Sequence, residues 1–239
     1  MKRIGWMLLL MAMAAPGWAK TKITKQTFEF QGRVRTYYLY VPEETGPMPV
    51  VLILHGYPGT DHPSTGYPMV DEWKDLASKE HFIVVAPNAE GSAYWDRKLN
   101  PPELFQAVID QVKAQHPIDT NRIYLFGHSA GAQYALFLGL LDSDYYAAVV
   151  VHSGYKAGSP QFPQVLHSTR RIPVAIITGS KDSIYPQVSA RMTKDYLESL
   201  SFPVLLTILP NDGHDYFPRA GQTNISTWDF MKMTQLTQP

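Results

Sequence analysis

The sequence predicts an α/β fold: a mostly parallel central sheet, opened by an antiparallel N-terminal hairpin and covered by helices on both faces, with no large lid domain. Three observations carry this reading. Short continuous apolar runs at residues 50–54, 82–86 and 147–151 have the pattern of strands buried on both faces, and further strands are expected at 123–126, 174–178 and 204–209. Segments of helical period alternate with them. No internal repeat, charge block or low-complexity linker breaks the alternation, so residues 20–239 read as a single domain.

Each element follows from local chemistry. Residues 27–30 and 34–41 form a hairpin turned at Gln31-Gly32-Arg33, the second strand alternating and rich in aromatic and β-branched side chains. A Pro/Gly-containing connection leads to the strand at 50–54, which ends in the loop His55-Gly56-Tyr57-Pro58-Gly59. A helix is expected over 71–79, then a strand over 82–86 and a loop over 88–100. Pro101 and Pro102 sit where a helix can begin, and Leu104, Phe105, Val108, Ile109 and Val112 form one apolar stripe after them. The strand at 123–126 runs into a helix over 130–141. Strands at 147–151 and 174–178 follow, separated by too few residues for a lid domain. A helix over 189–200, a strand over 204–209 and a closing helix over 226–233 complete the chain.

The first residues read differently. Lys2 and Arg3 precede an almost wholly apolar run from Ile4 to Ala15, and small residues Gly17 and Ala19 stand at a cleavage-site spacing. This is the layout of a secretory signal peptide over residues 1–19, cut after Ala19, which predicts a secreted or periplasmic protein with no stable membrane span after cleavage. The chain has no cysteine, so folding in an oxidising compartment requires no disulfide. Lysine plus arginine (21) balances aspartate plus glutamate (21), which leaves no strong field to gather nucleic acid.

The chemistry concentrates in Gly127-His128-Ser129-Ala130-Gly131, a G-x-S-x-G pattern between a strand and a helix. A sharp strand-to-helix turn exposes the serine hydroxyl, and flanking glycines avoid clashes there. A serine needs a base, and the base an orienting acid. His214 lies in the polar loop after the last strand and is favoured as base over His167, which lies in a connection before a strand. Asp182 follows the strand at 174–178, at a strand's C-terminal end, and is favoured as acid over Asp212 and Asp215, whose roles fit turn and cap chemistry. The backbone N–H groups of Ala130 and Tyr57 are the expected oxyanion donors, with His55 packed structurally beneath its loop. Tyr94, Trp95, Tyr155, Tyr185 and Tyr216, with Phe217, are candidate cleft-lining aromatics. Ser153-Gly154 lacks the first glycine of the elbow and reads as structural. No metal-ligand spacing, dinucleotide or phosphate loop is present, so no metal or cofactor is expected. Asn224-Ile225-Ser226 matches a glycosylation triplet, a very weak signal.

Taken in order, His55-Gly56-Tyr57, the stretch from Asp119 to Gly131, Gly179-Ser180-Lys181-Asp182 and Gly213-His214 resemble the α/β-hydrolase serine esterases, and Asp119 to Gly131 resembles their polyhydroxybutyrate depolymerase and feruloyl esterase-like branch. The resemblance implies an extracellular carboxylic ester hydrolase with Ser129, Asp182 and His214 as its triad, acting through an acyl-enzyme. The expected substrates are short-chain or aromatic acyl esters, small or carried on a polyester or cell wall. Secreted members of that branch often carry disulfides, whereas this sequence has no cysteine, and the single-domain reading leaves no room within it for the substrate-binding module that some carry. A serine peptidase or thioesterase on the same fold, and an inactive hydrolase fold used for binding, are the alternatives. Oligomeric state is not legible in the sequence.

Overall fold

The computed structural model describes residues 22–43, 46–57, 66–91, 95–154 and 170–236. The leader read over residues 1–19 lies outside them. The described strands form one eight-stranded sheet: β1 (Thr24–Phe30), β2 (Arg33–Tyr40), β3 (Met48–Leu54), β4 (Ile83–Pro87), β5 (Ile118–His128), β6 (Ala148–His152), β7 (Val174–Gly179) and β8 (Val204–Leu209). Their order across the sheet is β1-β2-β4-β3-β5-β6-β7-β8. β1 and β2 form the expected antiparallel hairpin, β2 runs antiparallel to β4, and every later pair is parallel.

The apolar runs are continuous because both faces are covered. Every residue of β3, β4, β6 and β7 is buried. On one face α2 (Pro102–Lys113), α3 (Ala130–Leu141) and α4 (Gln187–Ser199) pack Phe105, Val108, Leu136 and Leu197 over Leu52, Leu125 and Val151. On the other, α1 (Gly66–Glu80) and α5 (Ala220–Met231) pack Trp73 and Trp228 over Val51, Val84 and Phe126. Phe82 stacks on Trp228 with centroids 4.0 Å apart and closes this second layer. The edge strands β1 and β8 alternate or are only half-buried, as one-sided cover requires.

Three elements begin five or six residues before the sequence reading, each for a physical reason. α1 begins at Gly66, five residues early, because Pro68 falls in the first turn, where a missing N–H costs nothing. A Cβ on Gly66 would stand 2.2 Å from the Ala86 carbonyl oxygen, so the helix packs there against β4 backbone. β5 begins at Ile118 rather than Ile123; its first residues are polar, and a register shift separates the pairs at Met48 and Val50. α5 begins at Ala220 after a 3-10 turn (Phe217–Arg219), and its buried face includes Thr223, Asn224 and Thr227. Asn224 is satisfied there by the Tyr216 hydroxyl at 2.5 Å and the Glu72 carbonyl at 2.9 Å, so an inward face carries polar residues that an apolar count overlooks.

The parallel register lines up the C-terminal ends of five strands. Leu54 pairs with Gly127, His128 with His152, His152 with Ile177, and Gly179 with Leu209. The segments that follow these ends, at 55–57, 129–131, 153–154, 180–185 and 210–216, emerge along one edge, where open α/β sheets gather ligands.

Candidate active site

Ser129 stands between β5 and α3 with φ 54° and ψ −118°, a strained conformation for a residue with a side chain. Backbone hydrogen bonds hold it there. Its N–H donates to the His152 carbonyl at 2.9 Å, and its carbonyl accepts from Ala132 at 3.0 Å. The glycines around it are spatial necessities. A Cβ on Gly127 would meet the Gly131 oxygen at 2.4 Å, and one on Gly131 would meet the Leu54 oxygen at 2.1 Å. Both contacts are with backbone, which cannot swing aside. Gly131→Ala is therefore expected to cost about 3 kcal/mol of stability by forcing α3 away from β3. A urea midpoint unchanged from wild type would contradict that close approach.

His214 and Asp182 converge on the serine from β8 and β7. The Nε2 atom of His214 lies 3.0 Å from Ser129 Oγ, and its Nδ1 lies 3.0 Å from Asp182 Oδ2 and 3.2 Å from Oδ1. Asp182 is buried and accepts the backbone N–H groups of Ile184 at 2.9 Å and Tyr185 at 2.8 Å through Oδ1. Burial alone would raise its pKa, but the hydrogen bonds from His214 and the Tyr185 backbone outweigh burial and hold the carboxyl below its ordinary range. Gly179 lets the two loops meet, since a Cβ there would stand 2.3 Å from the Asp212 oxygen. Of the alternatives weighed in the sequence, His167 lies outside the described residues, and Asp212 pairs with Arg219 at 2.6 Å. Asp215 accepts the N–H of Phe217 at 3.2 Å, a turn contact.

The loop after β3 faces the serine. A methyl built on Gly56 would stand 3.3 Å from Ser129 Cβ, so the chain passes directly across the elbow. His55 is buried beneath this loop, as its sequence position suggests, and fixes its peptide planes. Its Nδ1–H donates to the Gly56 carbonyl at 2.8 Å, its Nε2 accepts from Ala89 at 3.1 Å, and its own carbonyl accepts the Trp95 indole N–H at 2.9 Å. The Gly56 carbonyl and the Tyr57 N–H belong to one peptide and point in opposite directions. Tying the carbonyl to His55 therefore turns the Tyr57 N–H away from that ring. Ala130 is the first residue of α3, where an N–H has no partner within the helix and the helix end favours negative charge.

The candidate aromatics divide. Tyr185 reaches the site: its ring stacks on His214 with centroids 5.6 Å apart and planes at 21°, and its hydroxyl accepts from Gln133 on α3. Trp95 and Tyr216 do not line a cleft. Trp95 is 6% exposed and packs against His55, Phe105 and Tyr134, its one polar atom spent on the His55 carbonyl. Tyr216 is fully buried beneath His128 and His152, its hydroxyl held by Asn224. Phe217 packs against the α1/α5 layer. Tyr94 and Tyr155 lie outside the described residues. Ser153 is 1% exposed, with its N–H bonded to the Ile177 carbonyl at 2.8 Å, which gives it no access to substrate.

Sequence reasoning missed a pair of histidines under the elbow. His128 and His152, at paired positions of β5 and β6, approach through their Nδ1 atoms at 3.0 Å, and both are buried. A signal existed: each is the last residue of a buried strand and each precedes a serine.

Burial of His55 and His152 lowers both pKa values to about 4, and burial also places that of His128 well below its ordinary value. Between about pH 6.5 and pH 4 the unfolded chain therefore binds protons that the folded chain refuses. Stability is undiminished by these rings above pH 6.5 and is lost as pH falls toward 4, by about 3 kcal/mol for each of His55 and His152. Asp182, depressed in the fold, erodes stability in the same direction at lower pH. The melting temperature is expected to drop by about 10 °C between pH 7 and pH 4.5 at constant ionic strength. A flat profile over that interval would contradict the neutral buried rings.

Among the described residues, no helix is long and apolar enough to cross a membrane, and no group of three or more His, Asp or Glu is placed to hold a metal.

Comparison with known proteins agrees with this architecture. The family model for phospholipase/carboxylesterase matches residues 97–226, and that for FrsA-like esterases matches residues 14–156. The bifunctional acetylxylan esterase/xylanase XynS20E of Neocallimastix patriciarum is 29% identical over 178 residues, covering 72% of this chain and 25% of the relative. The poly(3-hydroxybutyrate) depolymerase of Ralstonia pickettii is 27% identical over 169 residues, covering 62% of this chain and 35% of the relative. The chain thus spans only about a quarter to a third of the length of these two relatives. The solved structure of a ferulic acid esterase from Anaeromyces mucronatus superposes with a TM-score of 0.71 at 18% identity, covering 92% of this chain and 93% of the other. The sheet order, the strand-to-helix elbow and a family match spanning that elbow lead to one assignment: the chain belongs to the phospholipase/carboxylesterase family of the α/β-hydrolases.

Proposed function

We propose that the protein is a serine-dependent carboxylic ester hydrolase with Ser129 as nucleophile, His214 as general base and acid, and Asp182 as the group that orients His214. The observation that carries this reading is the continuous relay from Asp182 through both ring nitrogens of His214 to the Ser129 hydroxyl, with 3.0 Å on either side of the imidazole. In the first step Ser129 Oγ attacks the ester carbonyl carbon while its proton moves to His214 Nε2. The N–H groups of Ala130 and Tyr57 receive the oxyanion. Collapse breaks the bond to the alcohol oxygen, which leaves with the proton from His214. Water then attacks the acyl-enzyme, giving its proton to Nε2, and the acid is released as Ser129 regains a proton.

The substrates we assign are short-chain or aromatic acyl esters, including such esters carried on a polyester or cell wall. Support comes from the relatives named as acetylxylan esterase, poly(3-hydroxybutyrate) depolymerase and ferulic acid esterase. We also propose that residues 1–19 are a cleaved export signal and that residues 20–239 act as one hydrolase domain outside the cytoplasm. The test is a series of p-nitrophenyl esters from acetate to palmitate. Turnover is expected to be highest at two to four carbons and to fall as the chain lengthens. A maximum at palmitate would contradict the substrate assignment, and absence of turnover on the whole series would contradict the esterase reading.

A further inference from the structure

The buried histidine pair has no part in the steps above, yet it borders the elbow, the Gly56 turn and His214. The His128 ring lies 5.2 Å from His214 by centroids, and a methyl on Gly56 would meet its Cδ2 at 2.9 Å. His128 is joined through the backbone to Ser129. The His152 carbonyl holds the Ser129 N–H. Tyr216 supports both rings from below, parallel to His128 and edge-on to His152, each at 5.7 Å.

We propose that His128 and His152 are positioning residues that share a single proton between their Nδ1 atoms, forming a neutral, rigid floor under the elbow and beside His214. The contact dictates the proton count. At 3.0 Å, two N–H groups would point at one another, and two bare nitrogens would oppose lone pairs in a dry interior. One ring is therefore the Nδ1–H tautomer and donates. The other is bare at Nδ1 and carries its proton on Nε2. Such a pair has a fixed direction and cannot rotate either ring without breaking the bond between the two Nδ1 atoms.

Neutrality follows from the surroundings. The ionisable groups whose fields act on the pair are His214 and the Asp182 carboxylate, and Asp182 already accepts from His214 and two backbone N–H groups. A charge on His128 would face His214, which itself becomes a cation in each proposed turnover, across 5.2 Å between ring centroids. Burial removes the water that would screen such a charge, and both rings are held in the uncharged form well below neutral pH. The pair thus fixes the geometry of the elbow and the Gly56 turn without placing a cation beside the base.

The catalytic consequence rests on the triad reading, but the proton-sharing itself does not, so the two are tested separately. Nitrogen-15 NMR of histidine-labelled wild-type protein is expected to show one Nδ1 of this pair protonated and the other bare from pH 5.5 to 8.5, with neither ring titrating. Both rings as Nε2–H tautomers, or a midpoint inside that interval, would overturn the proposal whether or not the protein is active. In kinetics, His152→Phe is expected to lower kcat by about 10- to 100-fold with KM within threefold, and His152→Gln, which retains a polar partner for His128, to recover part of the loss. Equal kcat in wild type and His152→Phe would overturn the positioning role. Loss of folding in His152→Phe leaves the spectroscopic result on wild type to decide.

Discussion

Replacing Ser129 with alanine is expected to reduce ester turnover by about 10⁵-fold while leaving the fold intact. The size of the effect reflects the loss of the proposed nucleophile, Oγ, which lies 3.0 Å from His214 Nε2. Stability should change little. The backbone at Ser129 keeps φ 54° through its hydrogen bonds to His152 and Ala132, and alanine meets the same backbone strain as serine. The paired measurement is kcat on p-nitrophenyl acetate and the thermal midpoint, expected within about 3 °C of wild type for a change below 1 kcal/mol. Residual turnover above a hundredth of wild type would move the nucleophile elsewhere.

Asp182→Asn is expected to lower kcat by about 10⁴-fold with KM little changed. The direction follows from the hydrogen bonds around the carboxylate. Oδ1 accepts the N–H groups of Ile184 and Tyr185 at 2.9 and 2.8 Å, so an asparagine must place its carbonyl oxygen there. Its NH₂ then occupies the Oδ2 position, 3.0 Å from His214 Nδ1, and donates where the native group accepts. The imidazole must answer with a bare Nδ1 and a protonated Nε2. That nitrogen faces Ser129 Oγ and can no longer take its proton. The loop keeps its two backbone contacts, which separates this outcome from unfolding. A loss smaller than tenfold would contradict the role assigned to Asp182.

What the sequence disclosed and what it withheld divide along one physical line. The elbow is covalently local: five consecutive residues carry the turn, the glycines that permit it and the serine it exposes. His214 and Asp182 could be singled out because each lies in the loop after an apolar strand, and in a parallel sheet the ends of such strands fall on one edge. The α2 stripe was equally plain, since period and burial agree there, and the span of β8 was read from its apolar run although that edge strand is only half-buried. The histidine pair was hidden because it depends on the register of β5 against β6, which brings together residues 24 positions apart. Trp95 and Tyr216 were misplaced for a related reason. A loop aromatic beside a catalytic segment can turn outward to substrate or inward to the core, and the choice rests on partners distant in sequence, His55 for one and Asn224 for the other. α5 began earlier than its apolar pattern because the buried polar side chain of Asn224 is paired with Tyr216 and Glu72.

The central claim is that Ser129 is the activated nucleophile, and the most direct measurement is the intact mass of the wild-type protein after incubation with a fluorophosphonate, followed by peptide mapping of the adduct. The account predicts one equivalent of phosphonylation, located on Ser129, absent from Ser129→Ala and strongly slowed in Asp182→Asn. No adduct on wild-type protein that has the native fold, or an adduct mapped to Ser153 or another hydroxyl, would contradict it.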